Sequence, residues 1–413
     1  MAGCTNRQLL WKVEIPAAQQ TLMLGVNQAV MQTLAMAVIA SLVGASGLGQ
    51  KLLFSLQQLQ IGKATEQGLA IVLIAIVLDR LTQGLAYRKS VRFAPDAGFA
   101  EQHRHLLLVL SAVAVSILIA FVIPALAILP REMTLSGGTV LDQSIRWFSK
   151  NAHFIIEPVR AWITLTLLLP LRDICLWLPW PLVTGVLAYA GWRLGGWRLA
   201  VLVAALVLSI AVVGNWVPAM MTVYLVTAAT ILCILIGVPI GIWSARSERV
   251  ARVVMTICDT LQTFPSFIYL IPVIMLLKVS DLANIIAIIG YASVPAIRFT
   301  YLGLKRIPTA TIEAARAAGT TSSQRLWKVE LPIALPEIML GINQTVMMAL
   351  AMTAITALIG SRDLGQEIYK ALPGADTGRG ILAGLGIAFI GIIADRLIGA
   401  WAERRKRDMG LVG

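Results

Sequence analysis

Few residues in this chain could do chemistry, and they are scattered. Cys4, Cys175, Cys233 and Cys258 stand far apart with no CxxC pair, and His103, His105 and His153 have no partners at metal-ligand spacing. Neither a metal centre nor a redox couple is expected from that pattern. Gly44-Ala-Ser-Gly-Leu-Gly49-Gln50-Lys51 superficially suggests a phosphate loop. A P-loop needs lysine directly after its last glycine and Ser or Thr next, so the match fails. No catalytic set and no cofactor are expected. The residues that stand out are suited to recognition: Glu313-Ala-Ala-Arg-Ala-Ala-Gly319, followed after a gap by Val329-Glu-Leu-Pro332. A short, alanine-surfaced knob with Glu313 and Arg316 as polar anchors is what a groove on a soluble partner can grip. Ala314 and Ala315 allow close approach.

Such a knob must be held still by its neighbours. Pro308 and Thr309 suit a helix start, since proline is favoured in a first turn and threonine can cap exposed N–H groups. Residues 310–318 have high helix propensity. Gly319 ends them, because glycine adopts the left-handed conformation beyond a helix without penalty. Thr321-Ser-Ser-Gln324 matches a capping box that opens a second helix. Pro332, next to Leu331, is expected to close that helix, and Pro336 to open the next span. The expected element is two short helices meeting at a sharp turn.

The surroundings are read as membrane spans. The 413 residues are 58% hydrophobic and 13% charged, with mean hydropathy +0.81. A soluble domain carries roughly 25% charged residues. Crossing a bilayer core takes about 20 apolar helical residues. About ten spans are expected, near 21–46, 66–86, 106–130, 176–190, 195–213, 219–243, 264–278, 282–303, 336–360 and 380–400. Two of these are short, which gives eight to ten spans in an all-α polytopic membrane protein. Lys and Arg in short loops set orientation. The groups Arg88–Arg104, Arg193 and Arg198, Arg246–Arg252, Arg298–Lys328 and Arg404–Arg407 fall on one side. Both termini are therefore placed in the cytoplasm. The net charge of +13 is a topology signal; a nucleic-acid partner would need a basic face on a soluble domain, and none is expected.

The chain repeats itself. Residues 2–81 align without a gap to 318–397, with 37 identities in 80 positions. Gly3 matches Gly319, Glu14 matches Glu330 and Pro16 matches Pro332, whereas the counterpart of Glu313 would precede Met1. The expected organisation is a C-terminal fragment of a first unit at 1–87, a cytoplasmic linker at 88–105, and leader spans at 106–215. A complete unit at 216–403 and a basic tail at 404–413 follow. Within the leader, 131–175 mixes charged and apolar residues, which suggests an amphipathic helix on the outer face; partial insertion of 160–180 is the other reading. Trp162, Trp177, Trp180, Trp192 and Trp197 suit interfacial belts.

Residues 216–403 resemble the membrane subunit of glycine betaine/proline betaine/choline ABC importers. The phrases that carry the resemblance are Leu261-Gln-Thr-Phe-Pro-Ser-Phe-Ile-Tyr-Leu-Ile-Pro272, Pro295-Ala-Ile-Arg298, Leu326-Trp-Lys-Val-Glu-Leu-Pro332, Gly341-Ile-Asn-Gln-Thr-Val-Met-Met348 and Gly360-x-x-x-Leu-Gly-Gln366. The segment from Glu313 to Pro332 looks like the EAA loop that docks such a subunit onto its ATPase. The resemblance implies a type I importer permease fold in a bacterial inner membrane. It also implies a separate ABC ATPase subunit, an extracytoplasmic substrate-binding protein and a second permease domain. That second domain is either another copy in a homodimer or the upstream half of a tandem. Asn343, Gln344, Met347 and Met348 are candidates for the translocation path; interhelical bonding and packing is the other reading of the same residues. Asp395 and Arg396 are expected to form an ion pair that fixes the last span. Other readings are an inactive remnant, an ion-coupled secondary transporter and a membrane-bound enzyme.

Overall fold

In a computed structural model the described residues are 5–41, 44–58, 60–86, 104–122 and 137–410. Gly3 and most of the expected 88–105 linker lie outside them. The described chain is helical with no strand among the described residues. The helices are α1 Ile15–Ala40, α2 Leu48–Gln57, α3 Ile61–Ala86, α4 Arg104–Val122, α5 Gly138–Ile163, α6 Leu169–Trp177, α7 Trp180–Gly195 and α8 Trp197–Val212. They continue as α9 Trp216–Arg246, α10 Glu248–Thr263, α11 Leu270–Leu277, α12 Asp281–Lys305, α13 Thr309–Ala317, α14 Leu331–Thr356, α15 Leu364–Ala371 and α16 Thr377–Asp408.

Six helices among the described residues are long and apolar enough to cross a membrane, or seven if the bent pair 248–262 and 266–277 is one span. Leu107–Val122 and Trp197–Val212 are shorter apolar helices. With these two included the count among the described residues is eight or nine, within the expected eight to ten. The bent pair turns by 106° at the start of the expected short span 264–278. The 131–175 region holds a helical run, Gly138–Trp177, that itself has the length and composition of a span. The five tryptophans assigned to interfacial belts are all exposed.

Local chemistry sets the helix ends. The Ser280 hydroxyl accepts from the Ala283 N–H at 3.2 Å to open α12, Asp281 lies in its first turn and Lys305 in its last. Each charge is opposite in sign to the end of the helix dipole it meets. The centre of the bundle is α9, α12 and α14, where glycines let backbones approach. A Cβ on Gly237 would lie 2.8 Å from the Ala296 Cβ, and one on Gly341 would lie 2.6 Å from the Phe299 Cβ. The main apolar core joins Tyr224, Phe267, Leu270, Ile285 and Met352 to Leu52, Leu56, Ala64 and Ile71 of the first repeat. The first copy thus packs into the same core as the second.

The repeat is reproduced element by element. Ile15–Ala40 and Leu331–Thr356 are each 26 residues long. Leu48 and Leu364 open the next helices, and Ile61 and Thr377 the last, each pair at the same offset. Both copies begin with a complete capping box, at Thr5 with Gln8 and at Thr321 with Gln324.

A polar clasp closes the far end of the second copy. Glu367 on α15 accepts from Arg379 Nε at 2.7 Å and from Lys370 Nζ at 3.2 Å. Burial pushes the Glu367 carboxyl up, but the Arg379 and Lys370 hydrogen bonds outweigh it and hold the group below its ordinary value of 4.5. A carboxylate with a depressed folded pKa contributes stability above its unfolded value, and loses it as pH falls through the folded one. Thermal stability in detergent is therefore expected to decline below pH 4.5. Glu367→Gln should flatten that part of the profile, and an unchanged acid limb would refute the assignment.

Candidate docking elbow

The element around Glu313 begins at Pro308, whose extended backbone (φ −58°, ψ 135°) precedes α13 without any side-chain cap. Thr309 is the first helical residue, so the expected threonine cap is absent. Proline already fixes the entry angle, and its own missing N–H falls where no bond is needed. The helix ends as expected. Gly319 has φ +76°, its N–H donates to the Arg316 carbonyl at 2.9 Å and the Thr320 N–H to Ala315 at 3.3 Å. The Thr320 hydroxyl also donates to the Ala315 carbonyl, at 2.7 Å. These bonds occupy carbonyls that a helix end leaves unpaired.

Thr321 then reverses the chain into Ser322–Arg325, with the Gln324 side chain accepting from the Thr321 N–H at 2.9 Å. Pro332 does not close this short helix. The chain passes through a π turn at Leu326–Glu330 directly into α14, and Pro336 lies inside that helix. A π turn bonds five residues apart, so Pro332, which lacks an N–H, follows it where the bonding pattern changes anyway. The same Leu-Trp-Lys-Val-Glu turn stands at Leu10–Glu14 in the first copy.

The wide turn has a consequence that residue spacing conceals. It brings Arg325 and Glu330 together at 2.7 Å, with side chains only 18% and 14% exposed. In an α-helix, neighbours on one face are three or four apart, not five. These two residues were not among the sequence candidates for that reason. Arg325→Leu is expected to cost about 1–3 kcal/mol by leaving the carboxylate half-buried and unpaired. Adding Glu330→Leu should recover most of the loss, and additive losses in a thermal double-mutant cycle would argue against the pair.

Glu313, Ala314, Arg316 and Gly319 are exposed, while Ala315 and Leu326 are buried and anchor the elbow to the bundle. Leu331 and Pro332 are half-buried beneath it. No ion-pair or hydrogen-bond partner within the chain is found for the Glu313 and Arg316 side chains among the described residues. Beside them lies a groove of about 530 Å³ lined by Arg246, Lys305, Arg316, Arg325 and Glu330 with apolar residues between. The elbow is therefore a rigid projection with two unpaired charges of opposite sign beside a basic groove.

The first-copy segment is only a partial equivalent. Leu9 stands where Arg325 stands in the second copy, and Thr5–Glu14 are all exposed. Glu14 and Pro16 lie on that open surface. Gly25, the counterpart of Gly341, has nothing within 4 Å of where a Cβ would be.

The four residues expected along a path do not share one surface. Asn343 donates to Asp395 of α16 at 2.7 Å, and Met347 lies on the same side, where its sulfur would be 3.7 Å from a Cβ on Gly391. Met348 packs against the main core, and Gln344 is exposed. Asp395 pairs with Asn343, not with Arg396. Successive helical residues point about 100° apart, so an adjacent pair does not face one partner. Asn343 is thus engaged in the interhelical bonding that was the other sequence reading.

The family described as binding-protein-dependent transport system inner membrane component matches residues 237–407. The trimethylamine N-oxide transport system permease protein TmoV of Ruegeria pomeroyi is 38% identical over the whole of this chain and 63% of its own length. Its Pelagibacter ubique namesake is 38% identical over the whole chain and 58% of its own length. This chain therefore spans less than two thirds of either protein. The glycine betaine/proline betaine transport system permease protein ProW of Escherichia coli is 36% identical over 65% of this chain and 76% of its own. Since the likeness runs through the elbow, the glycine-lined centre and the last span alike, the chain belongs to the family of binding-protein-dependent transport system inner membrane components.

Proposed function

We propose that this chain is membrane-spanning permease machinery of an ABC importer for osmolytes with a methylated ammonium head. In this reading Thr309–Pro332 docks on a separate ATPase subunit, which hydrolyses the ATP. An extracytoplasmic binding protein delivers solute to the opposite face. The observation that carries the reading is the elbow, a two-helix projection whose Glu313 and Arg316 side chains have no partner among the described residues. The names of the relatives, trimethylamine N-oxide for TmoV and glycine betaine or proline betaine for ProW, support the substrate class. A trimethylammonium-type head is common to the first two of these solutes.

Residues 1–87 are then the closing segment of a second permease unit that pairs with 216–403. The shared core and the open surface around Gly25 favour that role. The basic residues gathered around Arg246, Lys305 and Arg325 face the cytoplasm of a bacterial cell, as do both termini. ATP closure moves the elbow, and α14, continuous with it, moves against α12 across their glycine contacts. Solute shifts the inward-open and outward-open states only through its different affinity for each.

Uptake of labelled trimethylamine N-oxide and glycine betaine into proteoliposomes tests the reading, with the ATPase and binding protein present. ATP-dependent accumulation of at least one solute is expected. Uptake driven by an ion gradient without ATPase would support a secondary transporter instead.

A further inference from the structure

A second charged site lies at the same end of the bundle, adjoining the elbow, since Arg405 also lines a cavity with Trp327, Leu331 and Pro332. Arg193 and Leu194 in the last turn of α7 face Trp401, Arg404, Arg405 and Asp408 near the end of α16, around a cavity of about 360 Å³. The Arg404 guanidinium donates to the Arg193 backbone carbonyl at 2.7 Å, so the two helix ends are tied together. The Arg405 guanidinium sits 5.8 Å from the Trp401 ring centre. One loop away, Arg198 stands over Trp197 at the same distance. Three guanidiniums thus share one cavity with a single carboxylate, and none is within ion-pair distance of an acid among the described residues. Arg193, Arg404 and Arg405 are exposed, as are Trp192 and Trp197 on the adjoining surface.

Holding three like charges together with only one carboxylate in the cavity is unfavourable, and guanidiniums are shaped to grip phosphate oxygens with paired N–H donors. The location narrows the source of the phosphate. α16 is long and apolar enough to cross a membrane, and exposed tryptophans mark the level where aromatic rings meet headgroups. Basic pockets between membrane helices at this depth suit lipid headgroups. A free phosphate would leave the aromatic and apolar rim unused. We propose that the Arg193–Arg404–Arg405 cavity binds the headgroup phosphate of an anionic phospholipid, with the acyl chains lying along α7 and α16. The lipid would splice the leader helices to the last span of the permease unit, next to its basic tail.

The test uses the full chain purified in detergent and exchanged into mixed phosphatidylglycerol and phosphatidylcholine. Native mass spectrometry then counts the lipids retained. Retention of phosphatidylglycerol over phosphatidylcholine by about tenfold is expected, given the attraction each basic residue exerts on anionic lipid. Arg193→Gln with Arg404→Gln and Arg405→Gln should abolish the preference. The matching lysine exchanges, which keep the charge, should retain most of it. Should the glutamine variant fail to fold, the wild-type protein still decides, since glycerol 3-phosphate at excess must leave the lipid in place. Equal retention of the two lipids, an unchanged preference in a folded glutamine variant, or displacement by glycerol 3-phosphate would each overturn the proposal. The last of these would assign the site to a free phosphate.

Discussion

Replacing Gly319 with valine is expected to cut ATP-driven uptake by about tenfold or more while leaving the protein in the membrane. The effect is conformational. At φ +76° an L side chain is strained by roughly 1–2 kcal/mol, and a β-branched one by more. Space is not the issue, because a Cβ at this position would meet nothing within 4 Å. The residue relieves its strain by changing φ, which swings Thr321 and the second short helix away from α13. The bonds from Gly319 to Arg316 and from Thr320 to Ala315 are lost with the turn. Glu313 and Arg316 then no longer sit in a fixed relation to the π turn that leads into α14. Gly319→Asn should be milder, since asparagine tolerates the left-handed region. Uptake and ATPase activity measured side by side distinguish uncoupling from misfolding. Valine and asparagine variants that both transport normally would remove the elbow from the mechanism.

Gly241→Leu is expected to have the largest effect on folding itself. A Cβ there would lie 2.6 Å from the Thr300 Cβ and 2.7 Å from the Ile297 carbonyl oxygen. Backbone on one side cannot rotate away, so α9 and α12 must separate. Gly237 one turn earlier makes the same kind of contact with Ala296, and opening one contact opens both. Overpacking a tight core costs typically about 1–3 kcal/mol, and more where backbone blocks relief. Loss of the monodisperse peak in detergent size-exclusion chromatography is expected, with Gly241→Ala intermediate. Gly399, also on a long helix, has nothing within 4 Å of a Cβ, and Gly399→Leu serves as the tolerated control. Equal behaviour at both sites would contradict the packing described for α9 and α12.

Much of this was legible in the residues because it depends on local pattern. The repeat offset is carried by identical residues and so is its secondary structure. Gly319 and the Thr321–Gln324 box behave as their backbone chemistry dictates. What escaped depended on geometry that spacing does not encode. A helix-based reading cannot pair Arg325 with Glu330, because only the π turn brings residues five apart onto one face. The contact between Asn343 and Asp395 depends on how α14 and α16 cross, and sequence adjacency misleadingly favoured Arg396. Pro332 and Pro336 read as boundaries from the sequence, yet the chain continues through both. Proximity in sequence groups Asn343, Gln344, Met347 and Met348 as path candidates, whereas helical spacing distributes them over several surfaces.

The central claim is that the Glu313–Pro332 elbow is where the ATPase engages. Cysteine placed at Ala314, which is exposed on α13, and cross-linked in native membranes to the co-expressed ATPase subunit tests it directly. The account predicts an adduct of permease and ATPase at this position, changing in yield when ATP is added. Cysteine at Lys370, on the far side near the Glu367 clasp, should give none. No adduct at 314, or equal adducts at both positions, would contradict it.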